Sequence, residues 1–432
     1  MRYGKGRVWL VERGKIVSTE NNSGNDGVNS GIISHNQNEN IHLSDPLPSQ
    51  TNDLETGSAE ELSFLDKLRI RGFLSPYFTT ALLVFLFSVL VYIISRLSPA
   101  FAEVWTRYPS FWLKYLFAKT TSIFSFSLAE CLLLSVPILV IAYLTASWGS
   151  MNKASKPADF YKWLLPLICA VLLIVSTFFL AFGPSFFRYP LEHNLSLEKK
   201  DVSAEELYDT AVKLSAEMDE ILGEVNFKYG GSSIMPYSYN ELANKMNIAF
   251  MAYADGVDYI GSFKVRPKPI ALSELFTYTH ISGVYSFITG EANINTNYPD
   301  FIIPFTMAHE MAHQRGIARE DEANLVAFLV CMESDDAYVR YSGYCNMINY
   351  VLNALYKADK TLYSDFYHKY YPSKVRSEFS AYSLFFDKYR DSSASTVTGT
   401  INDGFIKSQG QSAGIKSYGL VVDLTVAYYK NK

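Results

Sequence analysis

Three stretches of this chain are apolar on every face. Phe78 to Ser95 carries no charge and is closed by Arg96. Ile123 to Trp148 is interrupted only by Glu130 and contains Pro137, and Trp163 to Phe187 has aromatic ends with Gly183-Pro184 near its exit. A helix of a soluble protein keeps a polar face at helical spacing. These stretches do not, and each is long enough to cross the hydrocarbon of a bilayer as a helix. Ahead of them, from about Ser18 to Ser63, the chain is mostly Asn, Ser, Gly, Asp and Glu. Such a composition cannot bury enough apolar surface to offset its own entropy, so residues 1–72 are expected to be a disordered tail. Behind them the pattern becomes amphipathic. Ser203-x-x-Glu206 and Ser238-x-x-Glu241 have the form of capping boxes. The first opens a period of Leu207, Ala211, Leu214, Met218 and Ile221; the second opens Leu242, Met246, Phe250 and Tyr253. Ile281 to Asn295 alternates like strand, broken at Gly283 and Gly290, while residues 335–390 and Tyr418 to Tyr429 return to helical spacing. The expected fold is mainly α, with a three-helix membrane region at 73–188. A mostly helical domain at 189–432 follows, with a small β element ahead of one further apolar helix.

That helix carries His309-Glu310-Met311-Ala312-His313. Residues four apart lie above one another on a helix, so both imidazoles project from one face. Two neutral nitrogen ligands and an adjacent carboxylate make the H-E-x-x-H arrangement of zinc metalloproteases, in which the glutamate is the general base on a zinc-activated water. The bland alternative is a core or solvated helix that happens to carry the pentapeptide. The flanks speak against it. Pro304 suits a first helical turn, and Thr306, Met307, Met311, Ala312 and Gln314 put no charge beside the histidines. Arg315 departs from this, but where the helix is about to end. Gly316 then offers a left-handed stop.

The segment after that turn, Arg319-Glu320-Asp321-Glu322-Ala323-Asn324, is rich in carboxylates, any of which suits a helix N-terminus exposed to water. Successive helical residues are about 100° apart, so only one of the three can face the histidines squarely. Glu320-x-x-Ala323-Asn324 resembles the E-x-x-A-D element of zinc peptidases whose third ligand is a glutamate. That resemblance implies Glu320 as ligand, with Glu322 as the alternative, and Asn324 as the residue that supports a ligand histidine, by a neutral bond weaker than an aspartate would give. Arg319 stands where a third histidine would be in HExxHxxGxxH, which excludes that variant.

More broadly, the three apolar runs, "GEANIN", "PFTMAHEMAHQRGIAREDEAN" and "QGQSAGIKSYGLVVDLTVAYY" resemble a bacterial family of membrane proteins catalogued as domain of unknown function 3810. The resemblance runs from about residue 75 to the C-terminus and implies a zincin-like, zinc-peptidase-like domain with no established substrate. Gly290-Glu291-Ala292-Asn293 is the candidate for a strand that holds an extended substrate by backbone pairing. Tyr418 is a candidate donor to the oxyanion.

Net charge of −5 gives no nucleic-acid footprint. Cys131, Cys169, Cys331 and Cys345 form no CxxC pair, so a cysteine metal site is not expected. Glu130, about two turns into its run, is expected to be structural. Lys67, Arg69 and Arg71 before the first run lean toward a cytoplasmic N-terminus, which places the region after Arg188 outside the cytoplasm. The expected function is a multi-pass membrane zinc metallopeptidase acting on a peptide or protein, with the lipid bilayer as its other partner. A non-catalytic membrane sensor or scaffold that retains the fold is the rival. An intramembrane protease is disfavoured, because Gln314 to Asn324 is strongly charged.

Overall fold

The computed structural model describes Asp66 and residues 75–432, apart from 153–156, 199, 230, 415 and 417–419, and apart from the side chains of 150, 151 and 157–162. The tail expected at 1–72, Asp66 excepted, and the candidate Tyr418 lie outside the described residues.

The first apolar run forms α1 (Pro76–Leu97), with Ser88 and Ser95 donating to the carbonyls of Phe85 and Val91 so that neither of these two hydroxyls is left unpaired in an apolar setting. Ser98 ends it and caps α2 (Pro99–Arg107), which α3 (Pro109–Thr121) follows. The second run becomes helical only at α4 (Leu128–Met151), later than Ile123, because the Ser127 hydroxyl accepts the Glu130 amide and sets the first turn there. The third run is α5 (Pro157–Ala181); Pro184 cannot continue it, and Gly183–Phe186 turns as a 3-10 helix before α6 (Leu191–Asn194). Three of these helices, α1, α4 and α5, are long and apolar enough to cross a membrane.

Helices α1 and α5 pack together, whereas the apolar window of α4 buries nothing against the rest of the protein. Tyr143 donates to the Trp163 carbonyl at 2.6 Å, and the first turn of α4 is anchored as well. Glu291 accepts from the amides of Leu128 and Ala129 at 3.1 and 2.7 Å, neutralising free donors of the first turn. Glu130 reaches the other way and accepts from the amides of Ala271 and Leu272 at 2.8 and 2.9 Å. A carboxylate that looked intramembrane is therefore a clasp between a span and the domain.

Both capping boxes form, opening α7 (Ala204–Ile221) and α8 (Tyr239–Asp255), and the apolar residues at helical spacing in each are buried. The strand region then makes β1 (Lys268–Pro269), α9 (Ser273–Thr277), β2 (Gly283–Ser286) and β3 (Glu291–Ile294). The sheet order is β1-β3-β2, with β3 parallel to β1 and antiparallel to β2 in the register Val284↔Asn293. After a 3-10 turn come α10 (Ile303–Gln314) and α11 (Glu320–Met332). Every residue of α10, and Asp321 through Cys331 of α11, is buried. A helix covered on all sides sits at the centre of a domain, and α11 is packed between α8, α10, α12 (Ala337–Ala358) and α16 (Val421–Asn431). Each Leu, Val or Phe buried there contributes about 1.5–3 kcal/mol. Helices α13 (Lys360–Lys369), α14 (Ser373–Asp387) and α15 (Ser393–Ser408) complete the chain before α16.

One expectation is corrected here. Gly290-Glu291-Ala292-Asn293 is not a substrate strand: β3 is the central strand, its residues are buried, and Gly290 is a turn residue at φ +69° lodged against Phe117 and Ala118. No edge of β3 is open to an incoming chain. The strands at the margins are β1 and β2, and β2 is the one that runs beside α10.

Candidate metal centre

The α10–α11 pair places the chemistry. Helical spacing stacks His309 over His313 with ring centroids 4.6 Å apart. Gly316, at φ +92°, lets the chain reverse, a conformation that a side chain would strain. The reversal brings the first turn of α11 back across the histidines. Glu320 Oε2 lies 3.2 Å from His309 Nε2 and 3.5 Å from His313 Nε2, and one ligand atom from each of the three residues falls within 4.8 Å of the others. Two ligand atoms held about 2.0–2.1 Å from a tetrahedral ion are about 3.4 Å apart. The trio therefore has the spacing of ligands around a small divalent cation.

The other carboxylates face elsewhere. Glu322 accepts from Arg319 at 2.6 Å and from the Leu191 amide at 2.9 Å, and is thereby turned away from the histidines. Glu320, Asp321 and Glu322 are also not a solvated helix start; Asp321 and Glu322 are buried. Arg315 does not run free at the helix end. It is buried, with the rings of Phe250 and Phe263 over its guanidinium at 4.2 and 4.5 Å.

His313 Nδ1 is 2.7 Å from the carbonyl of Ile317, which can only accept. Nδ1 must then carry a proton, which leaves Nε2 as the atom that faces Glu320 and is available to a metal once its own proton is lost. Burial disfavours the His313 cation, but the Glu320 carboxylate outweighs it and lifts the pKa to about 9. Burial likewise opposes the Glu320 anion, and the two histidines override it, holding the carboxyl well below the usual range. The pocket thus attracts positive charge to the point between these three groups. Burial pushes the carboxyl of Glu310 up, with His309 and His313 pulling it back.

Glu310 and His309 line a cavity of about 660 Å³, walled by Tyr298, Tyr350, Tyr382 and Asn324 and by Ser395, Thr398 and Asn402 of α15. Gly283, the first residue of the edge strand β2, also lines this cavity. The carbonyls of Ser282 and Ser286 pair inward with the amides of Asn295 and Gly290 at 2.8 and 2.7 Å, so alternation turns the backbone of Gly283 and Tyr285 outward. The Tyr285 amide bonds Glu310. Gly283 is closer still: a Cβ there would stand 2.7 Å from Glu310 Cγ and 2.7 Å from Thr306 Cγ2. Asn324 is buried beside His309 in the cavity wall and hydrogen-bonds Tyr350, which also feels the charge of Glu320. Gly283 and Tyr350 were not singled out from the sequence. The break in alternation at Gly283 was the one signal, and nothing local marks Tyr350.

The centre lies next to the membrane region. Phe182, one residue past α5, meets the His313 ring edge-on at 6.0 Å.

The chain belongs to the family described as a protein of unknown function (DUF3810), whose profile matches residues 107–426. That match begins at the end of α2, later than the resemblance from about residue 75, and leaves α1 before it. No curated protein and no solved structure matches the chain.

Proposed function

We propose that this DUF3810 member is a membrane-anchored zinc metallopeptidase with a zincin-like pair of metal-bearing helices. The reading rests on one observation: His309, His313 and Glu320 present ligand atoms at metal-sharing distances, with Glu310 beside them in the same cavity. Zinc held by those three would supply a Lewis acid that lowers the pKa of a water and polarises the scissile carbonyl. Glu310 takes the water proton and passes it to the leaving amine. Its buried carboxyl, pushed toward the neutral form, suits a group that must hold that proton between the two steps. The outward backbone of Gly283 on β2 holds an extended peptide by strand addition. Tyr350 donates to the developing oxyanion, a role considered for Tyr418 from the sequence. Asn324 fixes Tyr350 and the wall beside His309. Lys67, Arg69 and Arg71 ahead of α1 put the domain on the extracytoplasmic side.

Glu310→Gln tests the mechanism. Bound zinc should stay at the wild-type level, because Glu310 is not a ligand, while cleavage of a peptide library falls by about 10²–10⁴-fold, as expected when a general base is lost. Equal cleavage by wild type and variant would exclude Glu310 as base. A wild type that holds zinc and cleaves nothing would favour the scaffold reading.

A further inference from the structure

Behind the turn that joins α10 to α11, buried positive charge exceeds negative. Arg188 is answered by Glu103 at 2.9 and 2.6 Å, and Arg107 shares Glu103 while also reaching the exposed Asp258 at 3.2 Å. Arg315, 2 % exposed, has no carboxylate partner among the described residues. Its terminal nitrogens donate to the carbonyls of Met311 and Phe263 and to Gln314 Oε1, and its Nε donates to nothing. Lys114, 1 % exposed, has no partner for Nζ. The hydroxyls of Thr106 and Ser185 are buried and unpartnered as well.

Lys114, Thr106 and Ser185 converge on Gly316, the residue next to Arg315. A Cβ on Gly316 would lie 2.6 Å from Lys114 Nζ, 2.9 Å from Thr106 Cγ2 and 3.6 Å from Ser185 Oγ. Of the unused groups, Thr106 and Arg315 line a second cavity of about 310 Å³, walled by Tyr108, Phe111, Trp112 and Tyr259, with the Arg107–Asp258 ion pair also in its lining. Lys114 lies outside that lining, behind Thr106. Burial, with the charge of Arg188 adding to it, depresses the Lys114 pKa to about 7. An anion at the inner end of the cavity would meet Arg315 directly and offset the Lys114 charge behind Thr106. Its source is indicated by the exposed surface of the segment that supplies Tyr108 and Trp112 to the cavity wall. Val104, Tyr108, Trp112 and Leu116, four residues apart along α2 and α3, are all exposed, and exposed Ile123 and Phe124 follow before α4. An apolar stripe with Trp and Tyr, strung between two spans, belongs at the headgroup level of a bilayer.

We propose that this cavity binds the phosphate headgroup of an anionic membrane lipid, with Arg315 and Thr106 of its lining as donors and the charge of Lys114, buried behind Thr106, adding to the attraction. Charge-assisted bonds to phosphate give preference over a zwitterionic lipid, and the aromatic walls take the glycerol region. The proposal is independent of any hydrolytic activity.

The test uses the full chain in nanodiscs of phosphatidylcholine, with or without phosphatidylglycerol, read by native mass spectrometry and by thermal unfolding. Phosphatidylglycerol should be retained over phosphatidylcholine by about tenfold or more and should raise the unfolding midpoint. Lys114→Met should remove that lipid-dependent rise while unfolding no earlier than wild type in pure phosphatidylcholine, since it deletes an uncompensated buried charge. If Lys114→Met does not fold, Trp112→Ala on the exposed rim should still fold and retain less phosphatidylglycerol. Equal retention and equal midpoints in the two lipids would overturn the proposal. So would millimolar inorganic phosphate that reproduces the whole rise, which would assign the cavity to a soluble anion.

Discussion

At the scale of single residues, the sharpest question is which carboxylate completes the metal trio. Glu320 faces both Nε2 atoms, while Glu322 is committed to Arg319 and the Leu191 amide. Glu320→Ala should therefore lose bound metal. Glu322→Ala should keep it but lower stability by about 1–3 kcal/mol, because a buried amide and a charged donor lose their acceptor. Metal content and chemical denaturation of the two purified variants check this; full metal in Glu320→Ala with loss in Glu322→Ala would move the ligand to Glu322. His309, Glu310 and His313 were legible from the sequence because their relation depends only on helical period. Glu320 needed a borrowed pattern, since its approach to the histidines depends on how far the Gly316 turn swings the next helix. Tyr350 was not legible, because α12 reaches the cavity through tertiary packing alone.

Between elements, the approach of β2 to α10 is the tightest fit around the candidate base. Gly283→Ala would set its new Cβ 2.7–2.8 Å from Glu310 Cγ, Glu310 Oε1 and Thr306 Cγ2. The Glu310 side chain has room to rotate but the strand does not, being pinned by the Ser282 and Ser286 pairings. The base should shift by about 1 Å, and a misplacement of that size costs about 10²-fold in turnover. Zinc content should be unchanged, because neither Gly283 nor Glu310 is a ligand. Wild-type turnover in Gly283→Ala would show that β2 does not set the position of the base. The hairpin itself was readable from alternation and from its glycines, but its place in the sheet was not. Alternation reports which residues share a face and says nothing of which strand lies at the margin. Glu291 and Asn293 read as polar positions of an open strand, yet Glu291 is spent on the start of α4 and Asn293 on Ser127 and Val284. The same limit applies to Glu130: its structural role was expected, but not what it holds. Its partners are the amides of Ala271 and Leu272, more than a hundred residues away.

For the whole molecule, the contacts across the membrane region carry a topological consequence. Helices α2 and α3, between the first two spans, pack directly on the region after α5: Glu103 holds Arg188, Phe111 meets Phe263 edge-on at 5.7 Å, and Glu291 caps α4. Two segments in contact lie on one side of a bilayer. If α1, α4 and α5 each cross once, the segment between the first and second crossing and the segment after the third do share a side, so single crossings and the observed packing agree. Which side that is rests on Lys67, Arg69 and Arg71 ahead of α1 with Lys153, Lys156 and Lys162 in the second loop, and Arg96, Arg107, Lys114 and Lys119 on the far side nearly balance them. Two of those four, however, are not free surface charge: Lys114 is buried and Arg107 is tied to Glu103 and Asp258. Discounting them tips the balance further toward a cytoplasmic N-terminus and an extracytoplasmic domain. Tyr229 is fully exposed on that domain, and Cys131 is the exposed native thiol among the described residues. A Tyr229→Cys protein with Cys131→Ala should thus be modified in intact cells by a membrane-impermeant maleimide, to the same extent as after permeabilisation. Modification only after permeabilisation would place the metal centre in the cytoplasm, leaving its chemistry intact but exchanging the substrates within its reach.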